Sequence, residues 1–366
     1  MNVPFVDLKT QYNYIKNEIL AEINDVLDNT AYICGKKAKK FEEDFAKVHN
    51  VKFCSALSSG TDALHVSLYC LGIRQGDEVI VPVNTFIATS ESVSLTGAKP
   101  VFVDHDEKTY NIDVTKIESA ITEKTKAIIP VHLYGQPAEL DPIIELAKKH
   151  NLHVIEDASQ AHLAEYRCKK IGGIGTVGTF SFYPGKNLGA YGEGGAVTTN
   201  DEVLHNKMLL FRQHGSLEKY VHIIEGTNYR LEEIQCGVLN VKLKYLAKWT
   251  EQRRKIALLY DSLLKDSPAI IPFVPDYAKP VYHLYVVRVS DRENLMNYLS
   301  SKGVQTSLHY PYPLHLQEAY KYLGHTKGDF PVAEKCCKEI LSLPMYPEMT
   351  EEMVHHVCKS INEFYS

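Results

Sequence analysis

No apolar run in this sequence approaches the roughly 20 residues that span a bilayer, and its first 20 residues, MNVPFVDLKTQYNYIKNEIL, lack the long apolar core of a secretory signal. No CxxC pair occurs among the eight cysteines, Cys34, Cys54, Cys70, Cys168, Cys236, Cys336, Cys337 and Cys358. Their irregular spacing argues against both a zinc knuckle and a disulfide framework and suits reduced thiols. Blocks of like charge are also missing. The 40 Lys+Arg and 45 Asp+Glu are interspersed, with a net charge of −5, so the chain offers no basic patch to nucleic acid. No repeat or low-complexity stretch points to a solenoid or a disordered scaffold. These absences predict a cytoplasmic globular protein with no membrane or nucleic-acid partner.

What is present is ample apolar content, 45% of 366 residues, enough for one large domain and a smaller one. From residue 50 to 200, short β-rich runs (VKFCSAL, EVIVPV, KPVFVD, KAIIPV, LHVIED, GTFSFYP, GAVTTN) alternate with amphipathic segments such as TDALHVSLYCLG and DPIIELAKKHN. Such alternation predicts an α/β fold with a mostly parallel sheet covered by helices. Gly72, Gly76, Gly97 and Asn151 fall where those helices should stop. Residues 231–265 read as one long helix. Beyond it, 281–289 reads as a strand, ENLMNYLSSKG as a helix, and AEKCCKEIL and EEMVHHVCKSINEF as two more. The expected division is a large domain over 1–245 and a smaller α+β domain over 246–366.

The chemistry concentrates between Glu156 and Gly195, EDASQAHLAEYRCKKIGGIGTVGTFSFYPGKNLGAYGEGG. Lys186 follows a strand inside a glycine-rich loop, where an amine can approach a bound aldehyde. Taken alone, a lysine there is more often a surface residue of a flexible loop. Asp157 ends the LHVIED run at the carboxyl edge of the sheet, where α/β proteins gather ligands. A carboxylate there can keep a pyridine nitrogen protonated or can simply cap a helix. Gln160 can hydrogen-bond a ring oxygen. SSGTDALH places Gly60 and Thr61 at a helix start suited to a phosphate, with Thr61 and Ser181 as hydroxyl donors, although Ser-Gly-Thr is also an ordinary cap. Phe86 can stack on a pyridine ring or fill the core. The loop HYPYPLHLQEAY, residues 309–320, suits a sugar or nucleotide, and equally a loop pinned by tyrosine packing. An aldehyde, a phosphate and a pyridine nitrogen held together are the parts of pyridoxal phosphate.

These stretches, together with VPFVDLKTQY, GDEVIVPVNTFIAT, NYRLEEIQ and LPMYPEMTEE, closely resemble the DegT-type sugar aminotransferases, pyridoxal phosphate enzymes of fold type I, over nearly the whole chain. The resemblance implies that Lys186 binds the cofactor's aldehyde, Asp157 pairs with the pyridine nitrogen, Gln160 meets the ring hydroxyl, and Gly60, Thr61 and Ser181 hold the phosphate. It further implies that Asn228 reaches the phosphate of the partner subunit in a homodimer with shared active sites. The presence of Lys186 sets the chain apart from the family's dehydratases, which carry histidine there. Leu163 departs from the glycine of many relatives. Within the family, GVQTSLHYPYPLHLQEAY and HGSLEKY resemble enzymes that aminate C3 of a dTDP-linked 3-keto-6-deoxyhexose, with L-glutamate as donor and pyridoxamine phosphate as the intermediate cofactor form. Tyr183, His309 and Tyr310 would then lie near the sugar. The alternatives are amination at C4 and, from another class, a non-catalytic cofactor-binding regulator.

Overall fold

Seven of the short β-rich runs become one sheet in the computed structural model, which describes residues 1–366. The strands are β1 (Phe53–Leu57), β2 (Glu78–Pro82), β3 (Lys99–Val103), β4 (Thr125–Ile128), β5 (His153–Asp157), β6 (Val177–Ser181) and β7 (Gly195–Thr199). Their order across the sheet is β1-β7-β6-β5-β4-β2-β3, parallel throughout except for β7, which runs antiparallel to both neighbours. Successive side chains of a strand face opposite ways. Val79 and Val81 therefore pack in one buried layer and Ile80 in another, and Ile155 and Val154 divide in the same manner. With both faces covered by helices, the strands must be apolar at nearly every position, which is how they read in the sequence.

The helix stops fall where expected. Helix Ala88–Leu95 ends before Gly97 (φ +81), and helix Leu140–His150 is closed by Asn151 in the left-handed region (φ +53). The long helix spans Glu233–Leu264. Toward the C-terminus the structure differs from the expectation in one element. The helix around Cys336 covers Pro331–Glu339 and stops there, and Ile340–Leu343 form a strand, β9, antiparallel to β8 (Tyr285–Arg288). Pro344 drives the residue before it, Leu343, to extended backbone, and pairing with β8 extends the three residues ahead of it. A separate apolar cluster joins Tyr260, Tyr285, Leu343 and Ile361 to Val3, whose backbone bridges to Val304. The chain's first residues are thereby anchored beside its last ones.

Leu163 adopts φ +69 with its side chain buried. Glycine takes that conformation at no cost, so the leucine carries backbone strain of about 1 kcal/mol or more, offset by burial in the cluster that contains Phe45 and Phe180. No helix is long and apolar enough to cross a membrane.

Beside the end of β5, the Glu156 carboxylate is fully buried and accepts hydrogen bonds from the N–H groups of Gly172 (2.8 Å), Ile174 (2.8 Å) and Gly175 (2.7 Å). His132 supplies a fourth. Its Nδ1 accepts from the Ala138 N–H, so Nε2 carries the hydrogen donated to Glu156, 3.2 Å away. Burial pushes this carboxyl up, but the His132 bond and the N–H groups outweigh it and hold the group below its ordinary value. A depressed folded-state pKa contributes stability in full above about pH 4.3 and loses it as pH falls through the folded value. In Glu156→Gln an NH₂ would face N–H groups, at an expected cost of about 3 kcal/mol. Urea unfolding at pH 7 and pH 4 checks both: the variant is weaker at pH 7, and the gap narrows in acid.

Candidate active site

The carboxyl ends of β2, β5 and β6 open into a cavity of about 770 Å³, and every site residue expected from the sequence lines it except Asn228. Asp157 ends β5, Ser181 ends β6, and Lys186 lies in the turn that follows. Asn228 is exposed, in a segment that bridges to Gln213, and it does not line this cavity.

Asp157 is nearly buried and held at both oxygens. The Thr89 hydroxyl donates to Oδ2 (2.8 Å) and the Ser159 N–H to Oδ1 (3.2 Å). Gln160 is oriented as firmly: Oε1 accepts from the Tyr134 N–H (2.7 Å), and Nε2 donates to the Tyr310 hydroxyl (3.2 Å), leaving its second hydrogen for another acceptor. Lys186 sits in a turn closed by its own N–H on the Tyr183 carbonyl (2.8 Å). Burial pulls its ammonium down to about 8, opposed by the charge of Asp157.

At the start of helix Gly60–Cys70, the Ser59 hydroxyl caps the N–H of Asp62 (3.0 Å). The N–H groups of Gly60 and Thr61 have no helical carbonyl to bond and are free for an anion. A Cβ at Gly60 would stand 2.6 Å from Ser181 Cβ, so only glycine lets this helix end press against the serine hydroxyl at the end of β6. Above this cradle Phe86 is 54% exposed, an unusual state for phenylalanine, with its ring 5.7 Å from that of Tyr310. An amine, a fixed carboxylate, an anion cradle and an uncovered aromatic face fit the aldehyde, nitrogen, phosphate and ring of pyridoxal phosphate.

On the outer wall Tyr183 is 55% exposed. The His309 ring stacks on Phe5, with centroids 5.8 Å apart, and its Nδ1 lies 2.9 Å from the Ser342 hydroxyl. Its carbonyl accepts from the Tyr134 hydroxyl. Burial and then Lys186 lower the His309 pKa to about 4. Thr89, Ser159, Phe5 and His283 were not among the expected residues. Thr89 lies within NTFIAT beside Phe86 and was open to the same reading, whereas no spacing in the chain ties Phe5 or His283 to this site. A second cavity of about 780 Å³ lies at the amino ends of β4 and β5, lined by Thr125, Lys126 and His153 together with the helix C-termini at Gly72 and Asn151. Helix C-termini repel anions, and this cavity has no aromatic wall.

Amine-reactive labelling of cofactor-free protein, followed residue by residue by mass spectrometry, should show Lys186 half-reacted near pH 8, against about 10.4 for ordinary lysines. Since the Asp157 charge favours the ammonium, Asp157→Asn should move the midpoint lower still.

The sequence profile described as the DegT/DnrJ/EryC1/StrS aminotransferase family matches residues 13–362. The chain is 47% identical over 368 residues to the "Pleiotropic regulatory protein" of Geobacillus stearothermophilus, covering 100% of this chain and 99% of the relative. It is 44% identical over 362 residues to the dTDP-3-amino-3,6-dideoxy-alpha-D-galactopyranose transaminase of Aneurinibacillus thermoaerophilus, covering 99% of each. The solved structure of DesV from S. venezuelae superposes with a TM-score of 0.97 at 42% identity, covering 99% of this chain and 98% of that one. The chain therefore belongs to the DegT/DnrJ/EryC1/StrS aminotransferase family, fold type I enzymes that use pyridoxal phosphate to aminate nucleotide-linked sugars.

Proposed function

We propose that this enzyme moves the amino group of L-glutamate to C3 of a dTDP-linked 3-keto-6-deoxyhexose, giving a dTDP-3-amino-3,6-dideoxyhexose for glycoconjugate synthesis. The observation that carries the reading is that Lys186 and Asp157 share one cavity with the wall formed by Tyr183, His309 and Tyr310. The likeness to a dTDP-3-amino-3,6-dideoxygalactose transaminase favours C3 and the dTDP carrier.

Gly60, Thr61 and Ser181 hold the cofactor's phosphate, Phe86 covers its ring, and Gln160 meets the ring hydroxyl. When bound, pyridoxal phosphate supplies the aldehyde that takes up the amino group and a ring that accepts the electron pair left by a departing proton. Asp157, fixed by Thr89 and Ser159, holds negative charge against the ring nitrogen. Nζ of Lys186 would take the proton from the glutamate α-carbon and pass it to the cofactor carbon that had been the aldehyde, leaving the amino group with the cofactor and releasing 2-oxoglutarate. In the second half of the cycle it would move a proton the other way, onto the sugar carbon that receives the amine. A base works best with a pKa near the operating pH, and burial brings Lys186 toward it. Asn228 of a second copy completes the phosphate site, so the working unit is a homodimer.

Lys186→Ala is expected to lower turnover by about 10³-fold or more; turnover like that of the wild type would sink this mechanism. Glutamate alone should convert the yellow holoenzyme to the amine form of the cofactor, a change that a regulator lacking catalysis would not show. Offered dTDP-linked 3-keto and 4-keto 6-deoxyhexoses of both C4 configurations, the enzyme should place the new amine at C3 when products are read by NMR. Amination confined to C4 refutes the regiochemistry.

A further inference from the structure

His283 lines the cavity with Lys186 and His309, although it comes from a segment more than 90 residues further along the chain than Lys186. Its imidazole is held by Asn187, the residue next to that lysine, with Asn187 Oδ1 3.2 Å from His283 Nδ1. The amide orientation follows from its other end, where Nδ2 donates to the Val281 carbonyl at 3.1 Å. A flipped amide would set oxygen against oxygen there, so Oδ1 faces the imidazole. An amide oxygen only accepts, so the hydrogen in that contact belongs to His283 Nδ1. Burial, then the charges of Lys186 and Arg253, hold the ring well below its ordinary pKa. Near neutral pH it is therefore uncharged, and Nε2 carries a bare lone pair.

The ring has little freedom to turn away. Arg253 donates to the carbonyls of Tyr282 (3.2 Å), His283 (3.4 Å) and Met345 (2.8 Å), fixing the backbone on both sides of the cavity's far wall. Gly135 packs so closely that a Cβ there would lie 2.8 Å from His283 N. Nδ1 is occupied, while Nε2 has no partner within the chain. The nearby Asp157 carboxylate is committed to Thr89 and Ser159. Beside the reacting amine, the wall thus presents a rigid, neutral acceptor.

The two substrates of the reaction differ in what they can offer it. Glutamate offers donors only at its amino group, which is taken up in the reaction; its two carboxylates are acceptors and gain nothing from a lone pair. A hexose carries hydroxyl donors on the carbons flanking its ketone. We propose that His283 is a specificity residue for the sugar, its Nε2 accepting a hydrogen bond from a hydroxyl next to the carbon that is aminated, and that Asn187 positions it by setting the tautomer. The inference rests on a keto sugar being the amino acceptor, as proposed above.

The test separates the two half-reactions of cofactor-loaded enzyme by rapid mixing, one with L-glutamate and one with a dTDP-3-keto-6-deoxyhexose. His283→Phe keeps a flat ring without the acceptor. It should raise the sugar KM by about tenfold or more while the glutamate constants change by less than about threefold, near the size of an ordinary surface effect. His283→Gln, which restores an acceptor near the Nε2 position, should recover much of the loss. A 4-deoxy analogue of the sugar identifies the hydroxyl: if it is the one at C4, the analogue is indifferent to the substitution. Equal losses in both half-reactions, or no recovery with glutamine, would show a structural role and overturn the proposal. On the wild-type protein alone, ¹⁵N NMR at pH 7.5 should show His283 protonated at Nδ1 and bare at Nε2, and the opposite tautomer overturns it whatever the substrate. Should the wild type refuse the 3-keto sugar while the tautomer is as stated, the substrate assignment fails and not the geometry at His283.

Discussion

Two adjacent carboxylates at the end of β5 must be satisfied at once, and much of the active-site architecture follows from how this is done. Strand geometry sends Glu156 and Asp157 to opposite faces. Glu156 goes into the interior, where it is tolerable only because three loop N–H groups and His132 close on it. The loop from Gly172 to Gly175 is thereby drawn down over the buried face, just before β6 begins. Asp157 goes to the cavity, where Thr89 and Ser159 fix both oxygens. An unpaired carboxylate in either place would cost several kcal/mol. The strand end therefore orients the loop beneath it and the first turn of helix Ala88–Leu95 above it.

Glycine performs the complementary task of bringing backbone close. The anion cradle proposed for the phosphate is built from segments far apart in sequence: Ser59 to Thr61, Ser181 and Gly195. A side chain at Gly195 would stand 2.2 Å from the Ser59 carbonyl oxygen, and one at Gly60 would strike Ser181. Because β7 runs antiparallel between β1 and β6, its first residue lies beside the last residues of both, and the cradle forms at that junction. The single reversed strand in an otherwise parallel sheet is what carries the chain from the glycine-rich loop after Lys186 back to this spot.

How far the sequence reveals this depends on the distance over which each feature is determined. The strands were legible because a sheet buried on both faces demands continuous apolar runs, and Asp157, Ser181 and Lys186 were legible because ligands gather at carboxyl ends of parallel strands. Helix ends were legible from Gly97 and Asn151, whose backbone conformations are local. Strand Ile340–Leu343 was not, since its sequence continues a helical pattern and only Pro344 and pairing with Tyr285–Arg288 extend it. Phe5 and His283 were not legible for a stronger reason. Each reaches the cavity through tertiary contacts, Phe5 by the Val3 bridge to Val304 and His283 by the clasp of Arg253, and neither leaves a local pattern. Leu163 reverses the case: its departure from glycine was visible in the sequence, but the left-handed backbone it occupies was not.

The same burial that positions these groups also sorts their proton affinities. His309 falls to about 4 and His283 well below the ordinary histidine value, each disfavoured as a cation by its surroundings and by Lys186. Tyr310 moves upward and keeps its proton. Lys186 falls only to about 8 because Asp157 supports its charge. A base so placed exchanges its proton close to working pH while the imidazoles beside it stay neutral. In the proposed reaction this ordering would keep a proton taken from a substrate carbon on Nζ, instead of letting it pass to a neighbouring histidine. The histidines remain free to act as fixed hydrogen-bonding groups. What leaves part of the Lys186 amine unprotonated is its burial, against the pull of Asp157.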